Sequence, residues 1–304
     1  MAHIRAGLIG ADIQASCSPA LHMREGAENY LAYNYELIDT TLAGLGPQDL
    51  PALLEDTERR GFSGLNITYP FKQRVIPFLT SLSPEAEAIG AVNTVMLRDG
   101  ERIGHNTDWW GFSEAFRRGF PKEHYQSVVQ LGAGGAGAAT AYAILRLGAQ
   151  RVAIYDINSD RSELLAADMQ SKFPERLVTQ SLDIAASLKN ADGLVHATPT
   201  GMIGHAGLPL EADLLVPELW VAEVVYFPLE TALLLEARRR GSRTLDGGGM
   251  AVFQAVEAFR LITGIIPDAA RMLSHFRSLE AAGEVHLIEQ RVGLNEKVQA
   301  DPLR

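Results

Sequence analysis

Only one cysteine, Cys17, occurs in the 304 residues, so no disulfide can form within the chain, which suits a reducing compartment. Positive charge is also short. Against 37 acidic residues stand 27 Lys and Arg, a formal net charge of −10, which excludes the broad basic footprint that nucleic acid demands. An anionic ligand must then be gathered by local groups, because the overall field repels it. No run approaches the ~18 apolar residues of a membrane span. The start, Met1-Ala-His-Ile-Arg5, has no charged n-region, apolar h-region or cleavage site, so the cytoplasm is the expected location. The eight histidines show no H-x-x-x-H or His/Cys spacing, and no metal site is expected.

What remains is an ordinary globular composition, 47% apolar and 21% charged, long enough for two domains with separate cores. Its most informative stretch is Val128-Val-Gln-Leu-Gly132-Ala-Gly134-Gly-Ala-Gly137. A short apolar strand runs into G-x-G-x-x-G and then into a helix. In that fingerprint the first glycine allows the tight turn, the second admits a pyrophosphate, and the third lets helix and strand pack closely. The helix start offers N–H donors and a positive dipole end to phosphates. A second strand, Arg151–Tyr155, ends in Asp156, where an acid accepts the adenosine ribose hydroxyls about 20 residues on. Dinucleotide binding is expected here.

Along the chain, residues 1–108 alternate strands and helices. Strands are expected at Arg5–Ile9, Asn34–Ile38 and Gly64–Thr68, with helices after Pro19 and over Leu50–Arg60. A hairpin follows, Ala91–Leu97 turning at Asp99-Gly100 into Arg102–Gly104. A helix over Trp109–Arg118, with Asp108 as a candidate N-cap, leads into the nucleotide unit. Its later strands are expected at Leu194–Ala197, Trp220–Tyr226 and near Arg243–Leu245. Strands separated by helices imply a parallel sheet covered on both faces. From about Met250 the pattern is helical, and these helices are expected to return to the first domain. The tail Glu289–Arg304 is polar.

Polar residues cluster at element ends. Ser16-Cys17-Ser18-Pro19 follows the first strand and Asn66-Ile-Thr68-Tyr-Pro70-Phe-Lys72 the third. Ala91-Val-Asn93-Thr94 lies in the hairpin, Asn106-Thr-Asp108 after it, and Ala197-Thr198-Pro-Thr-Gly-Met202 after a late strand. Tyr226-Phe-Pro-Leu-Glu-Thr231 and Gly247-Gly-Gly-Met250 through Gln254 complete the set. Each has a plain reading alone: Ser18 as a helix cap, Lys72 as a solvated lysine, Cys17 as a passive thiol, His22 as a packing residue. Together, in this order over residues 7 to about 264, they resemble the shikimate/quinate dehydrogenases.

The resemblance implies two α/β domains with a cleft between them. One is a discontinuous substrate domain over 1–108 plus 246–304, the other a Rossmann-type dinucleotide domain over 109–245. It implies that Ser16 and Ser18 hold a substrate carboxylate, that Asn66, Thr68, Asn93 and Gln254 hold ring hydroxyls, and that Tyr226 borders the same pocket. Lys72 and Asp108 would flank the hydroxyl that becomes a ketone. Gly132, Ala133, Gly134, Gly135, Ala136, Gly137, Asp156 and Thr198 would hold the cofactor, with Gly247 and Met250 near the nicotinamide. NADP users in the family commonly carry Asn-Arg after the second strand, whereas this chain has Asp156-Ile157-Asn158. NAD is therefore the expected cofactor, with NADP disfavoured by Asp156.

The chemistry agrees with these residue types. A polyhydroxylated ring acid calls for many neutral hydrogen-bonding groups, and oxidation of an alcohol needs a group to take its proton as hydride leaves. Because a carboxylate beside a lysine stabilises the ammonium, proton transfer is assigned to the Lys72–Asp108 pair and not to one member. One position departs from the family, whose usual asparagine before A-T-P is His196 here; no role is assigned to it. Expected partners are a small cyclic carboxylic acid and, as candidate assembly, a second copy of the chain; nucleic acid and membrane are not expected. Two rivals are a dehydrogenase of the methylenetetrahydrofolate type and a catalytically silent NAD-binding regulator. The first calls for more aromatic pocket candidates, and the complete Lys72/Asp108 pair argues against the second.

Overall fold

A computed structural model describes residues 3–282; the polar tail singled out in the sequence lies outside them. The chain divides into two compact units. Of the described residues, the first holds 3–83, 92–105 and 255–282, and the second holds 84–91 and 106–254.

The first unit is built on a six-stranded mixed sheet: β1 (His3–Gly10), β2 (Ala32–Asp39), β3 (Gly64–Ile67), β4 (Ser81–Leu82), β5 (Thr94–Arg98) and β6 (Glu101–His105), in the order β2-β1-β3-β5-β6-β4. β1 pairs in parallel with β2 and β3, whereas β5 runs antiparallel to both β3 and β6. The β5–β6 hairpin turns where expected, with Asp99 and Gly100 at φ of 54° and 80°, the left-handed pair that matches strand twist. Helix α1 (Ser18–Glu28) carries Pro19 in its first turn, where a missing N–H costs nothing. Helix α2 (Leu50–Arg59) buries Leu50 and Leu54 and keeps its acids outward.

The second unit opens with α3 (Pro84–Ile89) and α4 (Asp108–Gly119), then alternates β7 (Ser127–Leu131), α5 (Gly135–Leu147), β8 (Arg151–Tyr155), α6 (Ser159–Lys172) and β9 (Leu177–Gln180). It continues with α7 (Ile184–Leu188), β10 (Gly193–His196), β11 (Trp220–Glu223), α8 (Ala232–Arg239) and β12 (Thr244–Leu245). All six strands are parallel, in the order β12-β11-β10-β7-β8-β9. That is the doubly wound 3-2-1-4-5-6 arrangement, whose order reverses at β7. Phe112, Phe116, Phe120 and Trp220 pack under the sheet, with Phe116 and Trp220 edge to face at 5.0 Å. Each buried ring of this size contributes about 1.5–3 kcal/mol. Helix α9 (Gly248–Thr263) starts in this unit and ends in the first, and α10 (Ala269–Ala281) belongs to the first.

The structure corrects several boundaries. Asp108 is not the N-cap of α4 but lies in its first turn, behind Thr107. The capping oxygen is Asn106 Oδ1, which accepts from the N–H groups of Asp108 and Trp109 at 3.0 and 3.4 Å. Tyr226 does not end a strand. β11 stops at Glu223: Val224 N makes the last bond to the neighbouring strand, at His196 O, and the next N–H, of Val225, turns back to the Glu223 carboxylate. Asn93 precedes β5 instead of lying within it, and Gln254 sits inside α9, which begins at Gly248. The short strands β4 and β9 were not anticipated. β9 is an edge strand whose Leu177 is exposed, so it lacks a continuous apolar signal.

Candidate active site

In the first unit the predicted residues gather beyond the C-terminal ends of β1 and β3. The two loops touch. Ala11 N donates to Tyr69 O at 2.9 Å, and a Cβ built on Gly10 would lie 2.3 Å from Thr68 Cγ2. Ser16 and Ser18 are coupled, with Ser16 Oγ donating to Ser18 Oγ at 3.1 Å and accepting from Ser18 N at 3.2 Å. Ser18 therefore does not cap α1; the capping position is Cys17, which makes no side-chain capping bond. Burial pushes the Cys17 thiol up to about 11, the passive thiol that the sequence suggested.

Asn66, Asn93 and Thr94 form a buried polar knot. Asn66 Nδ2 donates to Thr94 Oγ1 at 3.0 Å, Thr94 Oγ1 to Asn93 Oδ1 at 3.1 Å, and Tyr35 Oη to Asn66 Oδ1 at 2.7 Å. Such a network fixes amide orientation, since each flip would leave a buried group unpaired. Lys72 follows the cis Tyr69–Pro70 peptide in a half-buried turn, and its carbonyl accepts from Val92 N at 2.8 Å. Asp39 is a residue the sequence reading missed. From the end of β2 its carboxylate accepts from Asp12 N, Ile13 N, Gln14 Nε2 and Thr41 N at 3.1–3.2 Å. It thereby holds the loop that leads to Ser16. An acid closing a strand before Thr40-Thr41 was the available signal.

In the second unit the glycine turn has the geometry its pattern implies. Gly132 has φ of +105°, and a Cβ there would lie 2.4 Å from Ala197 O. A Cβ on Gly137 would meet Gly132 O at 2.3 Å, whereas one on Gly134 meets nothing within 4 Å. Two positions thus exclude a side chain for internal reasons, while the middle one leaves the approach open. The first-turn N–H groups of α5, at Gly135, Ala136 and Gly137, lack intrahelical acceptors by construction. A pyrophosphate fits that chemistry. Gln130, also missed, stitches the turn from below. Its Nε2 donates to Gly132 O and Gly137 O at 2.9 and 2.8 Å, and its Oε1 accepts from Thr140 Oγ1 at 2.9 Å. A glutamine inside an apolar strand was its mark.

Asp156 follows β8. Its Oδ2 accepts from Ala133 N at 2.8 Å and its Oδ1 from Asn158 N at 2.9 Å, so the acid is tied directly to the glycine turn. Beside it Ile157 is 95% exposed, and the position offers no cation. Thr198 lies just beyond β10 with its Oγ1 2.5 Å from His196 Nε2. Asp108 is buried in α4 and Met250 in α9, while Tyr226 is exposed before the cis Phe227–Pro228 peptide. Gly247 lies where a Cβ would meet Val225 O at 2.5 Å. Gln254 Nε2 donates to Ala251 O at 3.0 Å. Lys72 thus belongs to one unit, and Asp108, Tyr226 and Gln254 to the other. Among the described residues there is no group of three or more His, Cys, Asp or Glu able to hold a metal, and no helix long and apolar enough to cross a membrane.

Residues 8–95 match the shikimate dehydrogenase substrate-binding domain. A shikimate dehydrogenase (NADP(+)) of Streptomyces avermitilis is 53% identical over 92% of this chain and 97% of its own length. The chain belongs to the shikimate/quinate dehydrogenase family. Residues 119–201 match the alanine dehydrogenase/PNT C-terminal domain. A quinate/shikimate dehydrogenase (NAD(+)) of Corynebacterium efficiens is 43% identical over 90% of the chain and 97% of its own. The structure of quinate dehydrogenase from Corynebacterium glutamicum in complex with NAD superposes with a TM-score of 0.85 at 42% identity, covering 92% of this chain and all of the other. Members of this family are NAD(P)-dependent oxidoreductases, and the named relatives divide over the cofactor.

Proposed function

We propose that the chain is an NAD-preferring dehydrogenase that interconverts shikimate and 3-dehydroshikimate, quinate and 3-dehydroquinate, or both. The observation that carries the cofactor choice is Asp156-Ile157-Asn158 at the end of β8, with its carboxylate fixed by two backbone N–H groups. That carboxylate accepts ribose hydroxyls, a charge-assisted pairing, and repels a 2′-phosphate. Gly132, Ala133, Gly134, Gly135, Ala136 and Gly137 form the pyrophosphate cradle, and Thr198, Gly247 and Met250 border the nicotinamide half.

The substrate end rests on neutral donors and acceptors. Ser18 Oγ accepts from Ser16 and so keeps its own hydrogen for a ring carboxylate. Asn66, Thr68, Asn93 and Gln254 are assigned to the ring hydroxyls and Tyr226 to the same substrate, because a site built to pair a hydroxyl rejects analogues without it. Bound NAD supplies the hydride acceptor. The alcohol proton passes to the Lys72–Asp108 pair as hydride leaves and returns from it in the reverse direction, the two side chains acting as one proton-handling unit.

The test is direct. Purified protein is incubated with shikimate or quinate and with NAD or NADP while reduced nicotinamide is followed by absorbance. Turnover of a ring acid with an NAD preference of roughly 10²-fold in kcat/KM is expected. No turnover of either acid refutes the substrate class, and an NADP preference refutes the cofactor assignment.

A further inference from the structure

The single histidine that departs from the family pattern is the centre of a buried relay. His196 and Glu223 end the neighbouring strands β10 and β11 and are register partners, and neither side chain has any exposed surface. Both Glu223 oxygens lie 2.9 Å from His196 Nδ1. The same carboxylate accepts from Val225 N at 3.0 Å and Thr231 Oγ1 at 3.2 Å. Surrounded by donors, it requires the hydrogen of His196 on Nδ1. In the neutral ring Nε2 is then an acceptor, and the Thr198 hydroxyl, 2.5 Å away, donates to it. The Thr198 oxygen also accepts from Thr200 N at 3.2 Å. Its one remaining lone pair is what it has for a ligand.

We infer that Glu223 and His196 are positioning residues that hold the Thr198 hydroxyl in one rotamer with its oxygen turned to the ligand as an acceptor. The relay ends beside the glycine turn, since a Cβ on Gly132 would lie 3.1 Å from Thr198 Cγ2. Asp156, the adenosine-side acid, follows β8, on one side of the central strand β7, whereas Thr198 follows β10 on the other. A dinucleotide lies across this reversal point, one half to each side. An oriented acceptor on the β10 side selects a hydrogen-bond donor of the nicotinamide nucleoside, a ribose hydroxyl or the carboxamide, and gives nothing to a phosphate. This inference rests on the dinucleotide site proposed above.

Equilibrium binding of NAD and of ADP to the full chain, measured by titration calorimetry, tests it. Thr198→Val, which keeps the shape and removes the hydroxyl, is expected to weaken NAD about tenfold and to leave ADP unchanged, while Thr198→Ser retains parental binding. His196→Phe is expected to give the same loss, and adding Thr198→Val to it nothing further, because both remove one interaction. Nitrogen-15 spectra of the histidines are expected to show His196 protonated at Nδ1 and bare at Nε2. Additive losses, an Nε2–H tautomer, or parental NAD binding by either Thr198→Val or His196→Phe overturns the relay. If NAD binding survives every variant while the parent still oxidises ring acids, the relay alone fails. A parent that binds neither NAD nor ADP overturns the dinucleotide site and the relay with it.

Discussion

Replacing Asp156 by asparagine separates two effects of one carboxylate. Its two oxygens each accept a backbone N–H, from Ala133 at 2.8 Å and Asn158 at 2.9 Å. Asparagine offers one carbonyl oxygen and one amide that can only donate, so one of those N–H groups loses its acceptor. A buried orphan costs about 1–3 kcal/mol; Asp156 is half-buried, which places the cost near the lower end. About 1 kcal/mol of folding stability is a fall in Tm of about 2–4 °C for a domain of this size, while NAD efficiency falls separately because a neutral amide loses the charge-assisted pairing with the ribose hydroxyls. Removing the charge also removes repulsion of a 2′-phosphate, about 1–4 kcal/mol per unit pair at ~4 Å. The NAD preference in kcat/KM should therefore fall from roughly 10² to below about tenfold. Adding Ile157→Arg, at a position 95% exposed, should reverse it. Initial rates with each cofactor at saturating ring acid give the ratio. A ratio unmoved by Asp156→Asn would refute the assignment of cofactor choice to this carboxylate.

Three further outcomes are expected. Lys72→Met and Asp108→Asn should each lower kcat by roughly 10²–10⁴, with the double variant far less than multiplicatively worse; near-normal kcat with raised KM in Lys72→Met would reduce that lysine to a binding group. His22 is buried against Tyr33, Tyr35 and Phe259, and burial pushes its imidazole down from 6.5 to about 3. The unfolded chain then binds this proton first, so stability is full above pH 6.5 and falls as pH drops towards 3, by at most about 1.4 kcal/mol per pH unit. His22→Phe should remove that slope from acid-titrated denaturant melts, and an unchanged slope would show that other groups produce it. In the first unit, Glu25 is 1% exposed and binds Arg271, which is 34% exposed, while also accepting from Asp268 N at 2.9 Å. Arg271→Met, which strands a buried carboxylate, should cost about 3 kcal/mol, and Glu25→Gln, which leaves a guanidinium able to reach water, about 1–2 kcal/mol; the reverse order in urea melts would contradict this.

The glycine turn was legible because each of its constraints falls on a residue type: a left-handed φ or a 2.3 Å approach leaves only glycine. The parallel order of the second sheet followed from alternating strands and helices for the same local reason. Relations across long stretches of chain were not legible. Asp39 reaches back 26 residues to Ile13, and His196 meets Glu223 27 residues on, and nothing in either neighbourhood names the partner. The start of α4 was ambiguous in another way, since asparagine and aspartate both cap helices well. Only the fold chose Asn106 as the source of the capping oxygen. Ser16 and Ser18 stand out by their motif, but that they are hydrogen-bonded to each other could not be read from it.

The lone thiol has a practical consequence. Cys17 is 8% exposed and its ionisation lies near 11, so at neutral pH roughly one molecule in 10⁴ carries the thiolate, against a few per cent for a free cysteine. Maleimide and disulfide reagents act on thiolate, and the native chain is therefore close to silent towards them. Any cysteine placed on the surface becomes the one reactive handle, with no background to engineer away. Leu42 in the first unit and Leu182 in the second are 70% and 78% exposed. Leu42→Cys and Leu182→Cys in one chain would carry a dye pair reporting, molecule by molecule, how far apart the two units stand as ring acid and dinucleotide are added.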